Sequence, residues 1–560
     1  MYLRASAVPG FLEGGPVKRL LQFLFFIIST ACCLAFAAQG VSQYFPRPEA
    51  QKEYDRGKAA QKIGYASAAI QAFRKAVELD PNYIDAFSEL LATARAVQRS
   101  AQGSEGQGLT LGDSALRAVR ILYTAQAALS PKNAVYQWVL GQLDESQTQA
   151  AAERYFRQAI ALDADFVKAY QSLASTLVFR GDLAGARESL RKVYEMRPDD
   201  PEALAAYAQR VGQTDPGLYR KLTEAFLKQF RGHEGGADLL ANMAAYEGDL
   251  SARIGMLERL KASYPPSEYE ASEWSMRFLF DAYNRSDPLK AFALAQEMSS
   301  LMPARSEAGT EWQSFAEYGR SMVVARTMMD RRSYMEAADL LNQAKAPYLV
   351  SPDPNTLLQA EATDMAGNAA RAYQILVSAM AVEPSDALQS ALIRYGAKLK
   401  KTPAQVEADV WEFRLKKTKM CKDFELTPHF GTKKVRLSDY RGRMVLLTFW
   451  NPGSGTCREE LPTLQKILDK YGPQGLAVIT VNTQPSDAMA SILMNRYSFI
   501  SLRAPNDEWA WNRYNLNSVP ASILIDRQGR ALFRPAFWGY DPQHTFDLEI
   551  QTMLAREPKN

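Results

Sequence analysis

The chain has 560 residues, too many for one hydrophobic core, so several domains or a repeat array are expected. Its formal charge of +4, with 23% charged residues, is near neutral for this size. No basic stripe with interleaved aromatics occurs, which argues against nucleic acid as a partner.

Lys18 and Arg19 precede an apolar run over residues 20–38 that ends on Ala35, Phe36 and Ala37. A positive segment, an apolar run and an A-x-A site describe a secretory signal. A run of this length also suffices for an uncleaved membrane anchor. Residues 1–38 therefore read as a signal peptide or an N-terminal transmembrane anchor. Either puts the rest of the chain outside the cytoplasm, periplasmic or tethered to the inner membrane, because the basic flank stays inside. Cys32 and Cys33 lie in this run, and Ser29 stands where a lipoprotein signal carries leucine. Cys421 and Cys457 remain in the exported part, where an oxidising compartment permits a bridge between them. Whether they meet is open from sequence.

From about residue 50 to 400 the sequence repeats at intervals of about 34 residues. One unit carries Gly57, Gly64, Ala69, Phe73, Ala76 and Pro81. A second has Tyr170, Leu173, Ala174, Gly181, Ala186, Leu190 and Pro198, and a third Gly367, Ala372, Leu376, Ala379 and Pro384. Small residues let two antiparallel helices approach, Phe73 or Leu190 fills the gap, and the prolines stop the second helix. The pattern resembles the tetratricopeptide repeat, which implies an α-helical solenoid that binds proteins or peptides on a concave face. Further units fall at Ala152, Phe156 and Ala159 and at Ala337, Leu341 and Ala344, while residues 201–311 predict irregular helix pairs. Residues 99–114, rich in Gly, Ser and Gln, read as a loop insertion. Residues 401–421 read as a helical cap and linker, with Lys416, Lys417 and Lys419 solvated.

From 422 to 557 strands alternate with helices, so the fold class is α-helical repeats followed by an α/β domain. A leading hairpin around Leu426 and Val435 precedes the apolar strand Met444–Trp450, and a helix carrying Cys457 in its first turn follows. A second parallel strand covers Leu476–Asn482, and residues 486–497 predict a crossover helix with Ser486 as N-cap. The stretch MVLLTFWNPGSGTCREELP resembles the active-site segment of exported thioredoxin-like proteins: Phe449, Trp450, Cys457, Arg458, Glu460 and Pro462 match in register. The resemblance implies the redoxin fold, with Pro520 as the cis-proline beside the active site, where the family holds bound peptide. Two positions depart from it. Ser454 stands where the first, attacking cysteine belongs, and Gly453 replaces a tryptophan, so the C-x-x-C becomes S-G-T-C.

Dithiol exchange needs an attacking thiolate and a second thiol to resolve the mixed disulfide. A serine hydroxyl supplies neither, and His233, His429 and His544 are all distant in sequence. The helix N-terminus and flanking glycines favour an exposed Cys457 with a lowered pKa. The opposite reading is a small buried residue left from an ancestral pair. Glu459 and Glu460 read as a solvated helix face. The S-x-x-C pattern is also similar to peroxiredoxins, although Trp450 replaces their proline and no arginine lies near Pro520. No metal motif, phosphate loop or cofactor signature is present. The expectation is an exported scaffold whose array recruits proteins to a thioredoxin-like domain with at most monothiol activity. The alternative is a thiol-dependent oxidoreductase or peroxidase that uses Cys457, active in cell redox homeostasis.

Overall fold

The computed structural model describes residues 44–101, 111–145, 149–212, 215–303, 306–347, 349–484, 494, 496–506, 508–516, 518–533 and 542–556. The apolar run at 20–38 and most of the expected crossover helix at 486–497 lie outside the described residues. Among the described residues no helix is long and apolar enough to cross a membrane. The chain divides into two compact units, 1–143 and 144–560.

In the first unit, helices Pro48–Lys62 and Ala66–Leu79 form an antiparallel pair. Gly64 turns the chain between them at a φ of +78°, where a side chain would be strained. Ala69, Phe73 and Ala76 are fully buried. A Cβ on Gly57 would fall inside the Phe73 ring, so this glycine sets how closely the two helices approach. The second helix stops at Leu79, just ahead of Pro81. Helix Ile84–Ala101 follows, and Leu111–Leu129 resumes the chain, so helix occupies both ends of the expected loop insertion. Phe87 packs edge-on against Tyr123 and Trp138, and the Tyr123 hydroxyl donates to the Pro81 carbonyl at 2.7 Å.

The second unit continues as helical hairpins. Val167–Phe179 and Leu183–Met196 pair around Gly181 (φ +70°), and Asp353–Met365 and Ala369–Val382 around Gly367 (φ +89°). Asp182 and Asn368 cap the second helix of each pair by accepting the N–H groups of Gly185 and Arg371 at 3.0 Å. The region expected to be irregular is regular: Pro201–Gly212, Pro216–Gln229, Glu234–Ala245, Leu250–Ser263, Glu270–Ser286 and Pro288–Leu301 are well-formed helices on one buried core. Its core mixes buried alanines such as Ala208, Ala237 and Ala291 with large aromatics such as Tyr219, Phe226, Tyr264 and Phe280.

Helix Pro403–Lys417 belongs to two cores at once. Val406 and Val410 pack with the array, while Trp411 and Leu415 pack into the terminal domain. Lys416, Lys417 and Lys419 are exposed, as expected, but the chain is no free linker here, because Lys419 enters the sheet opposite Ala531. The strands are β1 (Lys419–Met420), β2 (Glu425–Pro428), β3 (Val435–Arg436), β4 (Met444–Trp450), β5 (Leu476–Asn482), β6 (Ile500–Arg503), β7 (Ala521–Ile525) and β8 (Arg530–Phe533). Their spatial order is β1-β8-β7-β4-β5-β6-β2-β3. Strand β4 runs parallel to β5 and antiparallel to β7, and all seven of its residues are buried. Met444, Leu446 and Trp450 point into one layer, and Val445, Leu447 and Phe449 into the other.

Gly57→Ala should lower stability by about 1–3 kcal/mol, since the fully buried Phe73 ring has no room to retreat. Gly255→Ala, in the exposed interior of helix Leu250–Ser263 with open space around it, should raise it by about 0.5–1 kcal/mol. Denaturation curves of the two single variants should shift in opposite directions.

Candidate functional site

The C-terminal end of β4 leads through Asn451, Pro452 and Gly453 to Ser454, the N-cap of helix Gly455–Tyr471. Asn451 Oδ1 accepts the Ser454 N–H at 2.7 Å, and Ser454 Oγ accepts the Cys457 N–H at 3.3 Å. The hydroxyl is therefore engaged as a helix cap at the position where the thioredoxin pattern places its attacking sulfur. A Cβ on Gly453 would meet only Asn451 Oδ1 at 3.4 Å and Gln484 Oε1 at 3.8 Å, so the surface at this turn is open.

Cys457 is fully buried, in a layer with Met444, Trp450, Leu461 and Leu464. Of the two readings of Cys457, this burial favours the small covered residue over the exposed, acidified thiol. Desolvation pushes the Cys457 thiol up, outweighing the Ser454 and Asn451 hydrogen bonds and the Arg458 charge that pull the other way. Cys421 is also a buried thiol, but it packs in the layer on the opposite face of the sheet. The two sulfurs are separated by the sheet, so the bridge left open by sequence does not form, and Cys421 is not placed to resolve an intermediate on Cys457.

Glu460, expected on a solvated face, is only 7% exposed, and its Oε1 has no hydrogen-bond partner among the described residues. Burial holds its carboxyl well above the usual range, and its proximity raises the Cys457 thiol further. The Glu459 side chain lies outside the described residues. Cys457, Glu460, Leu461 and Leu464 follow the i, i+3, i+4, i+7 spacing of one helix face, a periodicity that marks Cys457 and Glu460 as core-facing. Arg458 points the other way, and its Nη1–H donates to the Pro452 carbonyl at 2.6 Å.

The Val519–Pro520 peptide bond is cis and Pro520 is buried. The register Phe449↔Ala521 brings Pro520 level with Trp450, and Val519 packs against the layer that contains Cys457. Of the sequence-marked residues, Ser454, Cys457 and Pro520 thus gather at one end of β4. The histidines do not join them. His233 caps helix Glu234–Ala245, His544 faces Asp386 at 3.1 Å, and His429 takes the Arg503 Nε–H at 3.3 Å. Burial, then the Arg503 charge, pushes the His429 pKa down to about 4. Among the described residues no group of three or more His, Cys, Asp or Glu could hold a metal ion.

A mixed sheet with a cis-proline strand beside β4, and a capped helix following it, defines a thioredoxin-like domain. Residues 418–531 match the AhpC/TSA family, and residues 54–83 and 167–200 match the tetratricopeptide repeat. The chain thus carries tetratricopeptide repeats and a C-terminal redoxin domain. Thiol-disulfide oxidoreductase ResA of Geobacillus kaustophilus is 31% identical over 108 residues, 19% of this chain and 62% of that protein. ResA of Bacillus subtilis is 25% identical over 101 residues, 18% of this chain and 56% of that protein. The chain thus spans less than two thirds of these relatives. A solved thioredoxin domain of a thiol-disulfide oxidoreductase from Bacteroides vulgatus, at 20% identity, covers 24% of this chain and 96% of its own, with a TM-score of 0.22.

The Glu460 carboxyl gives a signed pH prediction. Its folded pKa lies above the ordinary 4.5, so its contribution to stability is complete below that value and is lost as pH rises through the folded pKa. Glu460→Gln removes the ionisation, and should raise the melting temperature at pH 8 relative to wild type by more than at pH 5.

Proposed function

We propose that this is an exported scaffold in which the repeat array recruits protein partners to a thioredoxin-like domain that binds polypeptide without exchanging disulfides. Export rests on Lys18, Arg19 and the apolar run at residues 20–38, read as a signal peptide or an inner-membrane anchor facing the periplasm. Recruitment rests on the helical repeats, whose stacked hairpins present extended binding surfaces. The observation that carries the reading is the helix cap: Ser454 supplies oxygen where exchange needs sulfur, and the remaining thiol of Cys457 is sealed in the core. Pro520 and the end of β4 keep the groove edge, so peptide binding outlives the chemistry.

A second reading, a thiol-dependent oxidoreductase or peroxidase working through Cys457, is favoured by the thiol-disulfide oxidoreductases that this domain resembles. It requires Cys457 to become accessible and an external thiol to resolve it, since Cys421 lies across the sheet.

One substitution separates the two readings. Wild type should not accelerate insulin reduction by dithiothreitol, whereas Ser454→Cys, which places a sulfur at the helix N-cap three residues before Cys457, should gain turnover that Cys457→Ser abolishes. Cys457-dependent turnover by wild type in insulin reduction or peroxide consumption would support the enzyme instead.

A further inference from the structure

Where the array meets the terminal domain the chain encloses a cavity of about 290 Å³, at the small end of ligand pockets. Three helices wall it: Asp386–Lys398 near the end of the array, Pro403–Lys417, and Pro542–Leu554 of the terminal domain. Leu392, Val406, Val410, Trp411 and Leu548 make most of the wall apolar, and its charged residues are Glu407, Arg414 and Arg556. Two of these charges answer each other. Arg556 Nη2 and Glu407 Oε2 lie 3.6 Å apart, and their neighbours Pro403 and Ala555 are exposed, so this end is the mouth.

Arg414 follows Glu407 by about two helical turns, and Glu549 precedes Arg556 by as much, which puts Arg414 at the inner end. Arg414 and Glu549 are each only 2% exposed. Arg414 Nε and Nη2 donate to the Ala381 and Met380 carbonyls at 2.8 and 2.9 Å, whereas Nη1 has no partner among the described residues. Glu549 acts on this charge through space, but its Oε2 is also without a partner, and burial holds its carboxyl up at about 8. At neutral pH that acid is mostly protonated, so the guanidinium charge stands uncancelled. A buried cation with unused donors is costly, and an anion that brings acceptors to it relieves the cost. A planar carboxylate accepts well from a guanidinium. Its single charge equals the uncompensated charge of the wall, whereas a phosphate dianion would leave an excess in apolar surroundings. The apolar wall between Arg414 and the mouth suits an aliphatic chain.

We infer that this cavity is a binding site for a small aliphatic carboxylate, with its head on Arg414 Nη1 and its chain running along Val410, Val406 and Leu548 toward the mouth. The site shares no residue with Ser454, Cys457 and Pro520, so it stands or falls independently of the function proposed above. Its walls come from the array and from the terminal domain, so an occupant ties the two together and stabilises the folded chain.

Titration calorimetry on the full chain with octanoate, octanol and acetate tests the site. Octanoate should bind saturably, one molecule per chain, and should raise the melting temperature. Octanol keeps the chain and loses the charge, and acetate keeps the charge and loses the chain. Each should bind at least about tenfold more weakly than octanoate. Arg414→Gln should remove the advantage of octanoate over octanol, and Ala555→Trp, at the exposed mouth, should block both. If Arg414→Gln does not fold, the wild-type ligand series and Ala555→Trp decide the matter. No saturable octanoate binding, binding that survives Ala555→Trp, or octanol binding as tightly as octanoate would each overturn the site. Loss of the octanoate advantage in Arg556→Gln would move the head to the mouth and overturn the role given to Arg414.

Discussion

A single hydrogen bond, from the Cys457 N–H to Ser454 Oγ, sets the character of the terminal domain. Serine is a good helix cap, and here it starts the helix Gly455–Tyr471. The same bond ties the hydroxyl to the backbone and leaves the sulfur behind it, packed under the helix against Trp450 and Leu461. Cap and thiol are thus separated in role: one finishes the helix, the other fills the core. Helix-terminal electrostatics favours a thiolate, but desolvation is larger when the sulfur is fully covered, and the neighbouring Glu460 adds to it.

The array supplies the frame in which this domain is held. Its hairpins depend on close helix approach, as at Gly57 against Phe73, and on left-handed turns at Gly64, Gly181 and Gly367. Helix Pro403–Lys417 then joins array and sheet without a flexible spacer: one side packs on the last repeats, the other inserts Trp411 and Leu415 beneath β8 and helix Pro542–Leu554. Arg414 sits in this junction with its pKa pushed down to about 10 by burial, its donors satisfied in part by two backbone carbonyls. A chain that continued as a free linker after Lys417 would let the domain tumble, whereas the pairing of Lys419 with Ala531 fixes its orientation at the junction.

Much of this was legible in the sequence, for identifiable reasons. The strand Met444–Trp450 is apolar at nearly every position because both faces of a central strand are covered, and Leu476–Asn482 reads the same way. Repeat glycines and prolines announce turns and helix ends because few other residues serve there. Burial of single residues was less legible. Local pattern leaves Cys457 open between an exposed and a buried thiol and marks Glu460 as solvated, yet their spacing with Leu461 and Leu464 puts them on the core face of the helix. The opposite placement of Cys421 and Cys457 depends on which layer each covers, a long-range property that no local pattern encodes. Between residues 201 and 311 helix pairs were legible but their regularity was not, because the repeat signature is weak there.

The account turns on whether the remaining sulfur is available in the folded chain. Alkylation of Cys457 by iodoacetamide, followed by mass spectrometry as a function of pH and denaturant, measures this directly. Slow modification at neutral pH, an apparent pKa above that of an exposed thiol, and acceleration only on unfolding are the results expected of a sealed thiol. Rapid modification of the native protein at or below neutral pH would contradict it, and would return the domain to thiol chemistry.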